Sequence, residues 1–146
     1  MVDYDRELIG KVFESGAPVR VSAEMIAAFC RSIGETNPIY TDADAAREGP
    51  FGEIVAPPGL AGSFRGAEAI LEHLPRGRRR LAAGIDIEFV EPIRAGDSIS
   101  ISSQIKEIYE KTGRTGAMTF MVFRAALRNQ KDAIVANVDY RFVYRD

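Results

Sequence analysis

Leu60-Ala61-Gly62-Ser63-Phe64-Arg65-Gly66-Ala67-Glu68-Ala69-Ile70-Leu71-Glu72-His73-Leu74 decides the architecture of this chain. Leu60, Phe64, Ala67, Leu71 and Leu74 recur at spacings of four, three, four and three, the period of a helix with an apolar stripe. Between them stand Ala61, Gly62, Ser63, Gly66 and Ala69. Each Gly costs an isolated helix about 1 kcal/mol relative to Ala, so this many small residues point to a surface that approaches closely and wraps around the segment. Ala56-Pro57-Pro58-Gly59 holds the chain extended on entry. The expectation is one long helix over 60–74, engulfed on several sides.

What wraps it is read downstream, where the period falls from 3.6 to two. Ile85, Ile87 and Phe89 alternate with Asp86 and Glu88, and Ile99, Ile101 and Ile105 alternate with serines. Ile134, Ala136, Val138, Tyr140, Phe142 and Tyr144 keep one parity to the end. The stretch 117–128 is apolar on both parities, which predicts a central strand covered on both faces. Turns at 94–97, 111–114 and 129–132 are too short for helical crossovers, so the strands are antiparallel. A parity shift near Glu107 and Ile108 predicts a bulge.

Upstream, Val12-Phe13 and Val19-Arg20-Val21 are short strand candidates. Ser22 has the chemistry of an N-cap, and Met25, Ile26, Phe29, Cys30 and Ile33 run at helical spacing to Gly34, giving a helix over about 22–33. Gly34 through Tyr40 reads as a loop, and Thr41-Asp42 can cap a short helix through Arg47. No internal repeat or low-complexity segment interrupts the 146 residues, which suit a single domain over 1–146. The class is α+β.

Composition removes several function classes. With 19 Lys and Arg against 21 Asp and Glu, the net charge of −2 gives no general reason to bind nucleic acid or an anionic membrane. One Cys and one His cannot supply a four-ligand zinc site, and Cys30 cannot form an internal disulfide. Cys30 sits within an apolar helical pattern and reads as core, not as the partner of His73 in a nucleophilic pair. No apolar run reaches the roughly 20 residues of a membrane helix. The acidic start, Met-Val-Asp-Tyr-Asp-Arg-Glu, lacks the features of a secretory signal, so a cytoplasmic address is expected.

Three segments carry a resemblance. Gly34-Glu35-Thr36-Asn37-Pro38-Ile39-Tyr40, followed by Ala45-Ala46, resembles the G-D-x-N-P-x-H signature of MaoC-like hotdog proteins, which include (R)-specific enoyl-CoA hydratases and 3-hydroxyacyl thioester dehydratases. Ile54-Val55-Ala56-Pro57-Pro58-Gly59-Leu60 is similar to the family's entry into its central helix. Phe89 through Asp97 resembles the family's strand and turn of the form F-x-x-P-(x)2-x-G-D. The resemblance spans about residues 8–144 and implies a hotdog fold: a long antiparallel sheet wrapped around a central helix. It also implies an acyl thioester substrate such as an enoyl-CoA, no metal or redox cofactor, and a dimer formed by joining two sheets edge to edge.

In the family the Asp and His of the signature form the catalytic dyad; here the positions hold Glu35 and Tyr40. Glu moves the carboxylate outward by a methylene, and a misplacement of about 1 Å can cost about a hundredfold. A phenol, with a reference pKa of about 10, is a poor proton exchanger at neutral pH beside an imidazole. The altered signature and the Ala-Pro-Pro-Gly entry look most like the non-catalytic half of paired dehydratases, the FAS1-like amino-terminal type. The resemblance therefore implies an accessory, substrate-binding subunit paired with a second MaoC-type chain. The alternatives are a self-sufficient hydratase using Glu35 with Tyr40 as hydrogen-bond donor, and a thioesterase or acyl-binding hotdog, as homodimer or heterodimer.

Asn37 is expected to hold its loop by hydrogen bonds to backbone, with a substrate contact as the competing role. Gly59 at a helix N-terminus can offer its N–H to a thioester carbonyl, beside Leu60. Arg76, Arg78, Arg79 and Arg80 are the only concentrated positive charge. They read as a solvated loop, or as contacts to the phosphates of coenzyme A or to an acidic carrier protein. His73 is expected at the surface without a catalytic role.

Overall fold

The computed structural model describes residues 4–66, 68–74, 79–114 and 116–145. Two short strands, β1 (Phe13–Glu14) and β2 (Val19–Arg20), precede helix α1 (Ala23–Ile33). Ser22 caps α1 by accepting from the Met25 N–H at 3.0 Å, and Gly34 closes it in the left-handed region at φ 67°. Two short helices follow, α2 (Pro38–Thr41) and α3 (Ala43–Glu48). A one-turn helix α4 (Glu68–Leu71) then leads to four long strands, β3 (Arg79–Phe89), β4 (Ser98–Gly113), β5 (Gly116–Arg128) and β6 (Ile134–Arg145).

The sheet runs β1-β4-β5-β6-β3 with β2 also on β4, and every pairing is antiparallel. Register aligns Ile105, Phe123, Tyr140 and Ile85 in one row across the four long strands. The expected bulge in the longest strand lies between Ile105 and Glu107. The concave face carries the core. Val21, Ile26, Cys30, Leu60, Phe64, Ile99, Leu127 and Val138 belong to one buried cluster, and Leu8, Ile70, Leu74, Ile105, Met121 and Phe123 to a second.

The expected single helix over 60–74 is not continuous. A 3-10 segment covers Pro58–Ser63, Phe64 turns extended at φ −74° and ψ 120°, and helical structure resumes only at Glu68. Gly66 shows why. A Cβ there would stand 2.6 Å from the Ala125 Cβ and 2.8 Å from the Ser103 Oγ, so the backbone rests directly on β4 and β5. The carbonyls freed by the break are taken up by the sheet: the Tyr140 hydroxyl donates to Phe64 O, and the Ser103 hydroxyl donates to Gly66 O. Ser15 adds a longer bond to Gly66 O at 3.4 Å. Buried carbonyls need partners, and side-chain hydroxyls here replace the helical ladder. The small residues do signal close approach, as expected; the approach is so close that it replaces the helix's middle turn.

Three further expectations change. The segment 34–40, read as a loop, contains the start of α2. The strand β5 is central, but on its outer face the cover found among the described residues comes from side chains of the sheet itself: Phe120 stacks on Tyr109 with centroids 5.1 Å apart, and Lys111 lies 5.5 Å over the Phe120 ring. Arg79 and Arg80 open β3 and do not belong to a loop; Arg80 lies 4.8 Å over the Phe142 ring. Arg76 and Arg78 lie outside the described residues.

Candidate functional site

The chain leaves α1 through Gly34, and the next seven residues are organised by short polar contacts. Glu35 turns its carboxylate back on its own loop, where Oε1 accepts the backbone N–H groups of Thr36 and Asn37, each at 2.9 Å. Asn37 caps α2, its Oδ1 accepting from the Ile39 N–H at 3.2 Å, and Pro38 occupies the first turn, where its missing N–H costs nothing. Thr41 donates its hydroxyl to Asn37 O at 3.1 Å. Asp42 then caps α3 by accepting from the N–H groups of Asp44 and Ala45. Asn37 thus has the loop-holding role expected of it.

Tyr40 follows from this geometry. One helical turn beyond Asn37, its ring is half-buried and packs against the larger core cluster. Its carbonyl accepts from the Cys30 thiol at 3.8 Å. Burial, aided by the negative charge of Glu35, pushes the Cys30 thiol up, away from the thiolate form a nucleophile needs. Cys30 is 2% exposed and His73 packs on Phe13, with ring centroids 4.9 Å apart. Cys30 thus lies in the core and His73 is exposed, the placements expected of them.

Two clefts meet this loop. The first, about 370 Å³, lies under α1 between Cys30, Glu35, Tyr40, Ile54 and Ala95. The second, about 220 Å³, is walled by Tyr40, Phe51, Val55, Pro57, Phe89 and Val90. The loop carrying Phe51 is fastened by Arg94, whose guanidinium donates to Phe51 O at 3.3 Å and to Glu53 Oε1 at 2.6 Å. Asp97, 7% exposed, accepts from the Arg94 N–H at 2.8 Å and from Gln130 at 3.0 Å. Arg94 and Asp97 lie in the third quoted segment, yet their fastening role was not legible in it. Glu53 and Phe51 gave no sequence signal at all, since the partner that fixes them is 41 and 43 residues away.

The remaining candidates separate. Gly59 sits in the six-residue 3-10 segment, not at the head of a long helix, so the expected macrodipole has little length to build on. What its bare Cα permits is the approach of the Phe29 ring, 3.3 Å from where a Cβ would stand. Leu60 is 3% exposed in the larger core cluster. Arg79 and Arg80 lie at the far end of β3 from Phe89, which walls the smaller cleft. The structure therefore brings Glu35, Asn37 and Tyr40 together, and places the two arginines elsewhere.

Among the described residues, no group of three or more His, Cys, Asp or Glu is placed to hold a metal ion. No helix of the described residues is long and apolar enough to cross a membrane. Among the described residues, β3 pairs only with β6, forms a long edge of the sheet and leaves Leu81, Ile85 and Phe89 exposed at 53%, 47% and 50%.

The comparisons with known proteins agree with this frame. An UPF0336 protein of Streptomyces coelicolor is 32% identical over 114 residues, covering 75% of this chain and 76% of that protein. A probable enoyl-CoA hydratase alpha subunit of Thermomonospora curvata is 28% identical over 166 residues, covering 97% of this chain and 51% of its own length. A crystal structure of a MaoC-like dehydratase from Rhodospirillum rubrum superposes with a TM-score of 0.72 at 22% identity, covering 94% of this chain and 93% of that one, and shows the shared fold. The model of the FAS1-like dehydratase domain region matches residues 7–138. With the signature loop, the segment held against the sheet and the sheet as far as Val138 inside that match, the chain belongs to the FAS1-like dehydratase region family and has its MaoC-like hotdog fold.

Proposed function

We propose that this chain is the accessory half of an enoyl-thioester hydratase, binding the acyl thioester while a second MaoC-type subunit performs proton transfer. The observation that carries the reading is the state of Glu35: its Oε1 accepts two backbone N–H groups of its own loop, and the position five residues on is Tyr40 where the resembling family has its base. A general base must reach the water it activates, and this carboxylate is oriented as a loop cap. The alpha-subunit relative supports the same reading, as does the edge of β3, whose unpaired N–H and C=O groups and exposed Leu81, Ile85 and Phe89 suit pairing with another sheet.

In the reaction, water adds across the double bond of a trans-2-enoyl thioester: its oxygen bonds to C3 and a proton is delivered to C2, giving the 3-hydroxyacyl thioester. The carbonyl gains negative charge as the oxygen adds, so donors aimed at it lower the barrier. Oxidation state is unchanged overall, and the proposed reaction calls for no redox cofactor, with coenzyme A entering only as part of the substrate. This chain's part is to wall the acyl group with the apolar clefts beside Tyr40. The phosphate-binding role for Arg76, Arg78, Arg79 and Arg80 gains no support from the placement of Arg79 and Arg80 in β3.

The purified chain alone is expected to show little hydration of crotonyl-CoA, and addition of a MaoC-type chain with an intact G-D-x-N-P-x-H is expected to restore turnover. Full activity from the lone chain, lost in Glu35→Gln, would overturn the accessory reading and establish the self-sufficient enzyme, which the opening of the larger cleft beside Glu35 would then serve. Release of free thiol from acyl-CoA would identify a thioesterase instead.

A further inference from the structure

The two clefts at the signature loop share one lining residue, Tyr40. The cleft of about 220 Å³ is lined also by Phe51 and Val55, and the cleft of about 370 Å³ also by residues of α1 and by Ile54. Val55 and Ile54 are consecutive, so the two spaces flank the same short stretch of chain. We propose that the Tyr40 ring is the partition between them and sets the length of acyl chain this protein accepts, confining the chain to the first cleft. This rests on the acyl-binding reading above and deepens it: the residue standing where the family has a base acts here as a wall.

Three features make the ring a wall with a fixed position. Its backbone is held at both ends, with the Tyr40 N–H donating to Asn37 O at 3.1 Å and its carbonyl accepting from Cys30 at 3.8 Å. The ring packs against the core cluster that includes Ile26 and Cys30. The space behind it is lined by Ala23, Ile26, Ala27, Ile54 and Ala95, with Arg31 also on its wall, and its apolar part suits alkyl chain. Glu35 and Thr36 stand at the loop side of that space.

The test compares the full-length wild type with Tyr40→Ala, Tyr40→Leu and Tyr40→Phe, titrating butanoyl-, octanoyl- and dodecanoyl-CoA by calorimetry with free coenzyme A as control. Tyr40→Ala is expected to tighten dodecanoyl-CoA relative to octanoyl-CoA by about tenfold or more, the gain from roughly two further methylenes leaving water. Tyr40→Leu, which keeps apolar packing without the ring, moves the same way. Tyr40→Phe keeps the wild-type profile. A profile unchanged in Tyr40→Ala and Tyr40→Leu, with binding intact, overturns the partition and leaves the acyl-binding reading standing. A shift in Tyr40→Phe as large as in Tyr40→Ala assigns selectivity to the hydroxyl and also overturns it. No binding of any acyl-CoA by wild type and variants overturns the acyl-binding reading and the partition together. A crystal structure of Tyr40→Ala is expected to show one continuous cleft; two closed-off spaces would refute the partition without reference to any ligand.

Discussion

Gly66 and Glu35 sit in the two parts of the chain that decide its behaviour, and they satisfy backbone polar groups in opposite ways. At Gly66 the chain lies on the concave face of the sheet, and its carbonyl is answered by Ser103 and Ser15, residues 37 and 51 positions away. At Glu35 the carboxylate answers N–H groups one and two residues on, and Asn37 and Asp42 cap their own short helices. The first region is tight because distant strands close on it. The second is organised mainly by its near neighbours, with Tyr40 reaching the core cluster, and leaves open clefts at its side. A loop organised by its own contacts can tolerate an altered dyad; a backbone pressed on the sheet cannot tolerate one added methyl group.

The largest expected effect breaks the tight region. Gly66→Ala places a methyl 2.6 Å from the Ala125 Cβ, and overpacking of this kind costs about 3 kcal/mol, read by urea denaturation. A loss under about 1 kcal/mol would show that the segment rests on the sheet less closely than described.

The outer face offers an intermediate test through Asp139, which receives Arg124 at 2.7 Å and Lys106 at 2.7 Å. Burial by itself would raise its carboxyl, but the hydrogen bonds from Arg124 and Lys106 outweigh burial and hold it below the usual carboxylate range. A value depressed in the folded state contributes stability that is complete above the unfolded value near 4 and is lost as pH falls through the folded one. Asp139→Asn is therefore expected to cost about 2 kcal/mol at neutral pH, since it strands two cations, and the deficit relative to wild type should shrink on acidification below about pH 4. A deficit independent of pH would exclude the ionic origin.

Removing single hydroxyls sharpens the comparison. Among the described residues, Ser103→Ala leaves the Gly66 carbonyl with the longer contact from Ser15, and Tyr140→Phe removes the hydroxyl that donates to the Phe64 carbonyl. Each is expected to lower stability by about 1–2 kcal/mol in thermal or chemical denaturation. Glu35→Gln, which keeps an acceptor oxygen for Thr36 and Asn37, is expected to change stability by no more than about 0.5 kcal/mol. A loss comparable to Ser103→Ala would mean the charge of Glu35, not its acceptor geometry, holds the loop.

Local chemistry was legible along the chain wherever a residue acts on its near neighbours. Ser22 and Gly34 bound α1, Asp42 caps α3, the alternation from Ile85 onward marks strands, and the parity shift at Glu107 marks a bulge. The loop role of Asn37 was legible for the same reason. The continuous helix over 60–74 was misread because periodicity reports which face is apolar and says nothing of carbonyl partners arriving from other strands. The placement of Arg79 and Arg80 was misread because a run of like charge favours solvent whether it stands on a loop or at the start of an edge strand.

By itself, the sequence determined helix α1, the antiparallel long strands and the substitution of Glu35 and Tyr40 in a dehydratase-like signature. Those depend on caps, turn residues and side-chain alternation, all of which act within a few positions. Only the tertiary structure decided that the central segment breaks at Phe64, that Arg94 fastens the Phe51 loop through Glu53, and that two clefts meet at Tyr40. Each of these depends on groups brought together across tens of residues, where the energy of a contact depends on distance in space and leaves no periodic trace along the chain.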